Sequence, residues 1–134
     1  MKKHQHIAVT VLAASLLAGG AFVWQLQAAD AKEDAIKDFM KAYHKAPKGV
    51  DPVCKKATDG KATADELKKL VEGYKTMCAA KPPKGDDASW KEKTSKLLAA
   101  AQDLQKGKEG AADKYKEAVN CKACHEVHKP KKQE

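Results

Sequence analysis

Thr63-Ala64-Asp65-Glu66-Leu67-Lys68-Lys69-Leu70-Val71-Glu72-Gly73-Tyr74-Lys75-Thr76-Met77 reads as one amphipathic helix. Leu67, Leu70, Val71, Tyr74 and Met77 recur at intervals of three and four, which gathers them on one face of a 3.6-residue turn, and the lysines fall on the other. Thr63 and Glu66 have the spacing of a capping box, in which each side chain bonds the other's backbone N–H and satisfies two donors that the first turn leaves free. Lys81-Pro82-Pro83-Lys84-Gly85 ends the segment, because proline can neither continue the ladder nor leave its predecessor helical.

The same signature recurs on both sides. A first helix is predicted over about Lys32–Ala46, carrying Ile36, Phe39, Met40 and Tyr43, and is stopped by Pro47, Gly49 and Pro52. A third starts near Ser89, again with a glutamate three residues on at Glu92, and lines up Trp90, Leu97, Leu98, Ala101 and Leu104. Beyond Gly107 and Gly110 a fourth takes up Ala112, Tyr115, Ala118 and Val119 and runs to Pro130. Aromatics make up only 5% of 134 residues, and alanine and lysine dominate, a composition that loses little freedom in a helix. The fold predicted is all-α: an antiparallel four-helix bundle with one lysine-rich face per helix.

Residues 1–29 read as an export signal. Lys2 and Lys3 supply the positive start, Ile7 to Trp24 is an apolar run, and small residues follow at Ala28 and Ala29. The run is also long enough to span a bilayer, so a retained anchor in the inner membrane is the alternative to cleavage. Either way residues 30–134 are expected outside the cytoplasm, in a periplasm-like compartment, and no cysteine follows the apolar run to carry a lipid. The formal charge is +8, and all 26 basic residues are lysine. Nucleic-acid recognition draws on arginine's bidentate fork, so nucleic acid is not an expected partner. A diffuse positive field that steers an acidic protein partner, or simple solubility, suits these interleaved lysines better.

Cys121-Lys122-Ala123-Cys124-His125 carries the chemistry. Two thiols three apart can form thioethers to the two vinyl groups on one porphyrin edge, and the adjacent imidazole can hold the iron. The expectation is one covalently attached haem c per chain, with Cys121 and Cys124 as the attachment points and His125 as the proximal ligand. Two other readings compete: a thiol–disulfide pair, which belongs near a βαβ pattern absent from this sequence, and a zinc site built with Cys54 and Cys78. Zinc sites ordinarily show two short pairs, whereas Cys54 and Cys78 have 23 residues between them. For those two, a disulfide, buried thiols and an intermolecular link all stay open. A bridge would have to cross a helical rise of roughly 21 Å with nine residues of chain.

A C-terminal haem motif on the last helix of an exported four-helix bundle resembles the class II cytochromes c, the cytochrome c′ superfamily. The resemblance covers about residues 32–132 and rests on Cys121, Cys124, His125, the basic Lys129 four residues on, and Trp90 early in the third helix. It implies that Lys129 lies near a haem propionate; His128 stands where the family often has an aromatic. It further implies that Met40 falls where low-spin members supply a methionine to the distal side of the iron, with Met/His ligation and a raised reduction potential. Methionine as plain core filler is the other reading of Met40. His44, one turn on, is a weaker candidate for that position and reads better as a surface histidine beside Lys45; Met77 reads as core.

The function expected is one-electron transfer between redox proteins, with lysines such as Lys122 and Lys129 guiding an acidic docking surface. The alternative is a five-coordinate haem module that binds nitric oxide or carbon monoxide. No acid, base or nucleophile constellation suggests turnover, and a haem peroxidase would want a distal arginine that the chain lacks. Family members often form homodimers through their first two helices. Membrane contact is expected only with a retained N-terminal segment.

Overall fold

The computed structural model describes residues 34–131. The export signal over 1–29, the expected start of the first helix at Lys32 and the last three residues lie outside the described residues. Within them the chain is all-α, and none of its helices is long and apolar enough to cross a membrane. The elements are α1 (34–43), α2 (Val53–Thr58), α3 (Ala64–Ala79), α4 (Asp87–Gln105), α5 (Ala111–Ala118) and α6 (Cys121–His128).

The α3 stretch forms as its pattern predicts. The Thr63 hydroxyl accepts from the Glu66 N–H at 3.2 Å, and the Glu66 carboxylate accepts from the Thr63 N–H at 2.8 Å. Leu70, Val71, Tyr74 and Met77 are buried. At the far end the Trp90 indole N–H donates to the carbonyls of Met77 and Ala80, at 3.1 and 2.9 Å, and the Met77 carbonyl also accepts from the Ala80 N–H at 3.2 Å, so a side chain of α4 ties down the last turn of α3.

Three boundaries differ from expectation. The first helix stops at residue 43 rather than Ala46, with the His44 N–H bonded to the Met40 carbonyl at 3.1 Å as the chain leaves the turn. The short α2 fills what the sequence suggests is a plain connection. The Pro52 carbonyl accepts from Lys55 and Lys56, and Lys56 Nζ lies 3.0 Å from the same Glu66 carboxylate that caps α3. Helix α4 begins two residues before Ser89, because the carboxylate of Asp86 accepts from the Ser89 N–H at 2.8 Å and takes the capping position.

The predicted last helix is two helices. Val119 and Asn120 leave the helical conformation, and the Asn120 side chain then caps a fresh helix by accepting from the Ala123 N–H at 3.0 Å. Cys121 is therefore the first residue of α6 and not the middle of a long rod.

Helix α4 packs against α3 and α5, α2 joins α3 and α5, and α6 rests on α4. Helix α1 contributes Ile36 and Phe39 to the same core as Leu70, Tyr74, Trp90 and Tyr115. Phe39 lies directly over Gly73 of α3, where a Cβ would overlap three atoms of its ring. The rings of Tyr43, His44 and Tyr74 surround Phe39 at 5.3–5.4 Å between centroids and leave it little room to turn aside. Alanine gains about 1 kcal/mol over glycine in helix propensity, yet overfilling such a contact costs about 1–3 kcal/mol. Gly73→Ala is expected to lower the denaturation midpoint, and a Phe39→Leu change beside it should recover part of the loss; an unchanged or raised midpoint in the single variant would refute the close packing of α1 on α3.

Candidate functional site

Two adjoining cavities, of about 390 and 260 Å³, lie between α1, α4 and α6. Met40, His44, Lys45, Met77, Cys124 and His125 line both. Cys121 lines the larger, with Leu97, Ala118 and Val119; Lys129 lines the smaller, with Ile36 and Trp90. All five residues singled out from sequence as cofactor or iron contacts thus border one or other of these adjoining cavities. The larger cavity alone falls in the range of small-molecule and cofactor sites, about 300–1,000 Å³.

The restart at Asn120 positions the thiols. On α6 Cys121 and Cys124 are three apart, so both project from the same side of the helix. Cys121 is exposed and Cys124 half-buried against the core. Burial pushes the Cys124 thiol up from its ordinary range. A reactive redox pair needs the opposite, a thiolate favoured by its surroundings, and the described residues contain no strand that could supply a βαβ frame. No disulfide joins any of the four cysteines. Cys54 is buried at the start of α2, while Cys78 Sγ lies 3.4 Å from the Ser95 hydroxyl. Among the described residues no three His, Cys, Asp or Glu side chains gather so as to hold a metal ion by themselves, so the four thiols do not make a zinc site.

His125 is exposed at the rim, and partial burial together with the charge of Lys129 lowers its affinity for a proton. A neutral imidazole has a free nitrogen lone pair, as metal binding requires. Met40 is half-buried on α1 and lines both cavities.

His44 is not the surface histidine that its neighbour Lys45 suggests. Its Nε2 lies 3.0 Å from the Tyr74 hydroxyl, which lies 2.7 Å from that of Tyr115. The hydroxyls and the ring form one chain across α1, α3 and α5. Burial, and secondarily the charge of His125, push the His44 imidazole down to about 4. Burial raises both phenols well above their ordinary value, Tyr74 further through Tyr115 beside it. No signal in the sequence marks this chain, since its members are 30 and 41 residues apart.

His128 fills the place the sequence leaves in question. It is 2% exposed, and its ring meets Trp90 edge-on at 5.3 Å. Its Nδ1 donates to the Lys84 carbonyl at 2.8 Å, and its Nε2 shares a hydrogen bond with the Ser89 hydroxyl at 3.2 Å. Gly85, at φ +84°, turns the chain there in a conformation that glycine adopts without strain.

The two cavities also carry charge. Lys45, Lys93 and Lys96 border the larger and Lys37, Lys41 and Lys129 the smaller, while Glu92 and Glu117 are the carboxylates on the larger. Lysines therefore outnumber acids around an apolar interior, which suits an apolar plate with anionic edge groups. The fit to a haem is good on three counts: an apolar space of suitable size, two thiols on one helical face beside an imidazole, and a cationic border.

Two outcomes test the buried chain. Tyr74→Phe leaves the Tyr115 hydroxyl and His44 Nε2 without the group between them and should cost about 1–3 kcal/mol in urea denaturation; a neutral change would mean that the chain contributes nothing. The fold holds His44 neutral, with a proton affinity below the ordinary 6.5, so the unfolded chain takes up the proton first as pH falls. Stability is expected to be full above pH 6.5 and to decline toward pH 4, by on the order of 3 kcal/mol from this group. His44→Gln should flatten that part of the profile, and an unaltered profile would refute the assignment.

No protein-family model, curated protein or solved structure matches this chain, and its functional reading rests on the residues of these cavities.

Proposed function

We propose that this chain is an exported single-haem c-type cytochrome that carries one electron at a time between redox proteins. The observation that carries the reading is the meeting of Cys121, Cys124, His125 and Met40 around one apolar cavity, from two ends of the sequence. When bound, the haem supplies the one-electron chemistry at its iron. Cys121 and Cys124 would hold it through thioethers, His125 would bind the iron on the α6 side, and Met40 would bring a thioether from α1. Met77, Leu97 and Val119 give the cavity apolar walls. Imidazole–thioether ligation raises a reduction potential relative to harder ligand sets, which suits a carrier. Lys129, bonded through its N–H to the His125 carbonyl at 3.2 Å, is well located to meet a propionate.

This reading keeps the resemblance to the class II cytochromes c. On this reading α1, α3 and α4, with α5 and α6 together as an interrupted fourth, would correspond to the four rods of an antiparallel bundle. Residues 1–29 would direct the chain to a periplasm-like compartment, where attachment can proceed. The partner would be a redox protein with an acidic face, drawn to the lysines around the cavity border.

Expressed with its N-terminal segment in a bacterium that matures c-type cytochromes, the chain should gain the mass of one covalent haem. Cys121→Ala with Cys124→Ala should abolish that gain. The ferric spectrum should be low-spin, and electron exchange with an acidic partner should slow as salt rises. A chain without covalent haem would overturn the whole reading, and a five-coordinate high-spin spectrum would turn it toward a gas-binding module.

A further inference from the structure

His44 shares both cavities with Met40 and His125. It follows Met40 by one turn, and the bond from its N–H to the Met40 carbonyl keeps that turn helical, so the two side chains leave α1 on the same face. The imidazole is restrained. Phe39 and Tyr74 meet it edge-on at 5.4 and 5.7 Å, and the Tyr74 hydroxyl occupies its Nε2 at 3.0 Å. That hydroxyl has a second partner in Tyr115 at 2.7 Å, to which it can turn if the histidine departs. Met40, by contrast, is a flexible thioether, a soft and weak donor. One cavity therefore offers two neutral donors from one helical face, one of them tethered by a hydroxyl.

We infer, on the haem reading above, that His44 is a reserve iron ligand: Tyr74 holds it away from the metal, and it takes the sixth position when the Met40 thioether leaves. The exchange swaps one neutral donor for another, so no electron is transferred. The imidazole proton resides on Nδ1, Nε2 binds through its lone pair, and the Tyr74 proton stays on its oxygen as that hydroxyl turns to Tyr115. Replacing thioether by imidazole lowers the reduction potential, so the protein would have a second, more reducing state available without losing six-coordination.

Ferric optical and electron-spin resonance spectra of the secreted holoprotein, with its reduction potential, test this. Met40→Ala is expected to stay low-spin with a bis-imidazole signature and a lowered potential, and Met40→Leu, which keeps the side-chain volume, should do the same. Met40→Ala with His44→Ala should become high-spin. Tyr74→Phe, with Met40 intact, should show a fraction of the bis-imidazole form that the unaltered protein lacks. A high-spin spectrum in both single Met40 variants overturns the inference, as does a low-spin spectrum in the double variant. An unaltered spectrum in Tyr74→Phe overturns the restraint assigned to Tyr74. Failure of the underlying reading is distinct from all of these, because the unaltered protein would then carry no covalent haem by mass.

Discussion

A phenol–phenol–imidazole chain holds α1 in register with the rest of the molecule. Tyr115 on α5, Tyr74 on α3 and His44 at the end of α1 are linked by two hydrogen bonds of 2.7 and 3.0 Å in a largely buried setting. A buried hydroxyl without a partner costs more than the bond contributes when made, so each group is confined to the place where its neighbour can reach it. Apolar contacts alone would let α1 slide; Phe39 against Gly73 and His44 against Tyr74 fix both its height and its rotation. Whatever Met40 does in the cavity depends on that register, because it lies one turn before His44 on the same helix.

The second organising feature is the break at Val119–Asn120. An uninterrupted helix from Ala111 would carry the thiols wherever its phase dictated. The restart lets α6 adopt its own direction, capped by Asn120, so that Cys121, Cys124 and His125 border the hollow that α1 and α4 leave. The lysines then follow from what surrounds an apolar interior in a basic chain. Most are solvated or pair locally with acids a turn away, such as Lys96 with Glu92 at 2.6 Å, a pairing worth little in stability when exposed. Their collective field is a matter of encounter rate more than of affinity.

Local signals were legible in the sequence and long-range ones were not. The Thr63–Glu66 box, the Lys81–Gly85 stop and the helical spacing of Leu70, Tyr74 and Met77 are properties of neighbours, and each is present in the fold. The six residues of α2 are too few for a periodic pattern to register, and it is held by Lys56 reaching Glu66 ten residues on. The apolar spacing of Tyr115, Ala118 and Val119 runs smoothly into Cys124 and hides the break that Asn120 caps. At the site, Cys121, Cys124 and His125 were legible because the motif is contiguous. The burial of His44 was not, for it depends on a tyrosine 30 residues away. His128 is similar, its seat being built by Lys84 and Ser89.

That seat bears on the order in which the molecule assembles. Lys84 belongs to the connection between α3 and α4 and Ser89 to the first turn of α4, a hairpin closed by contacts close in sequence and able to form early. His128 must bridge 44 residues to reach the Lys84 carbonyl, a loop whose closure entropy has to be met before any contact rewards it. On closure entropy the C-terminal helix is expected to dock late, onto a surface already shaped. Were the motif to carry haem as proposed, late docking would leave both thiols accessible for attachment until the last segment of the chain settles into place.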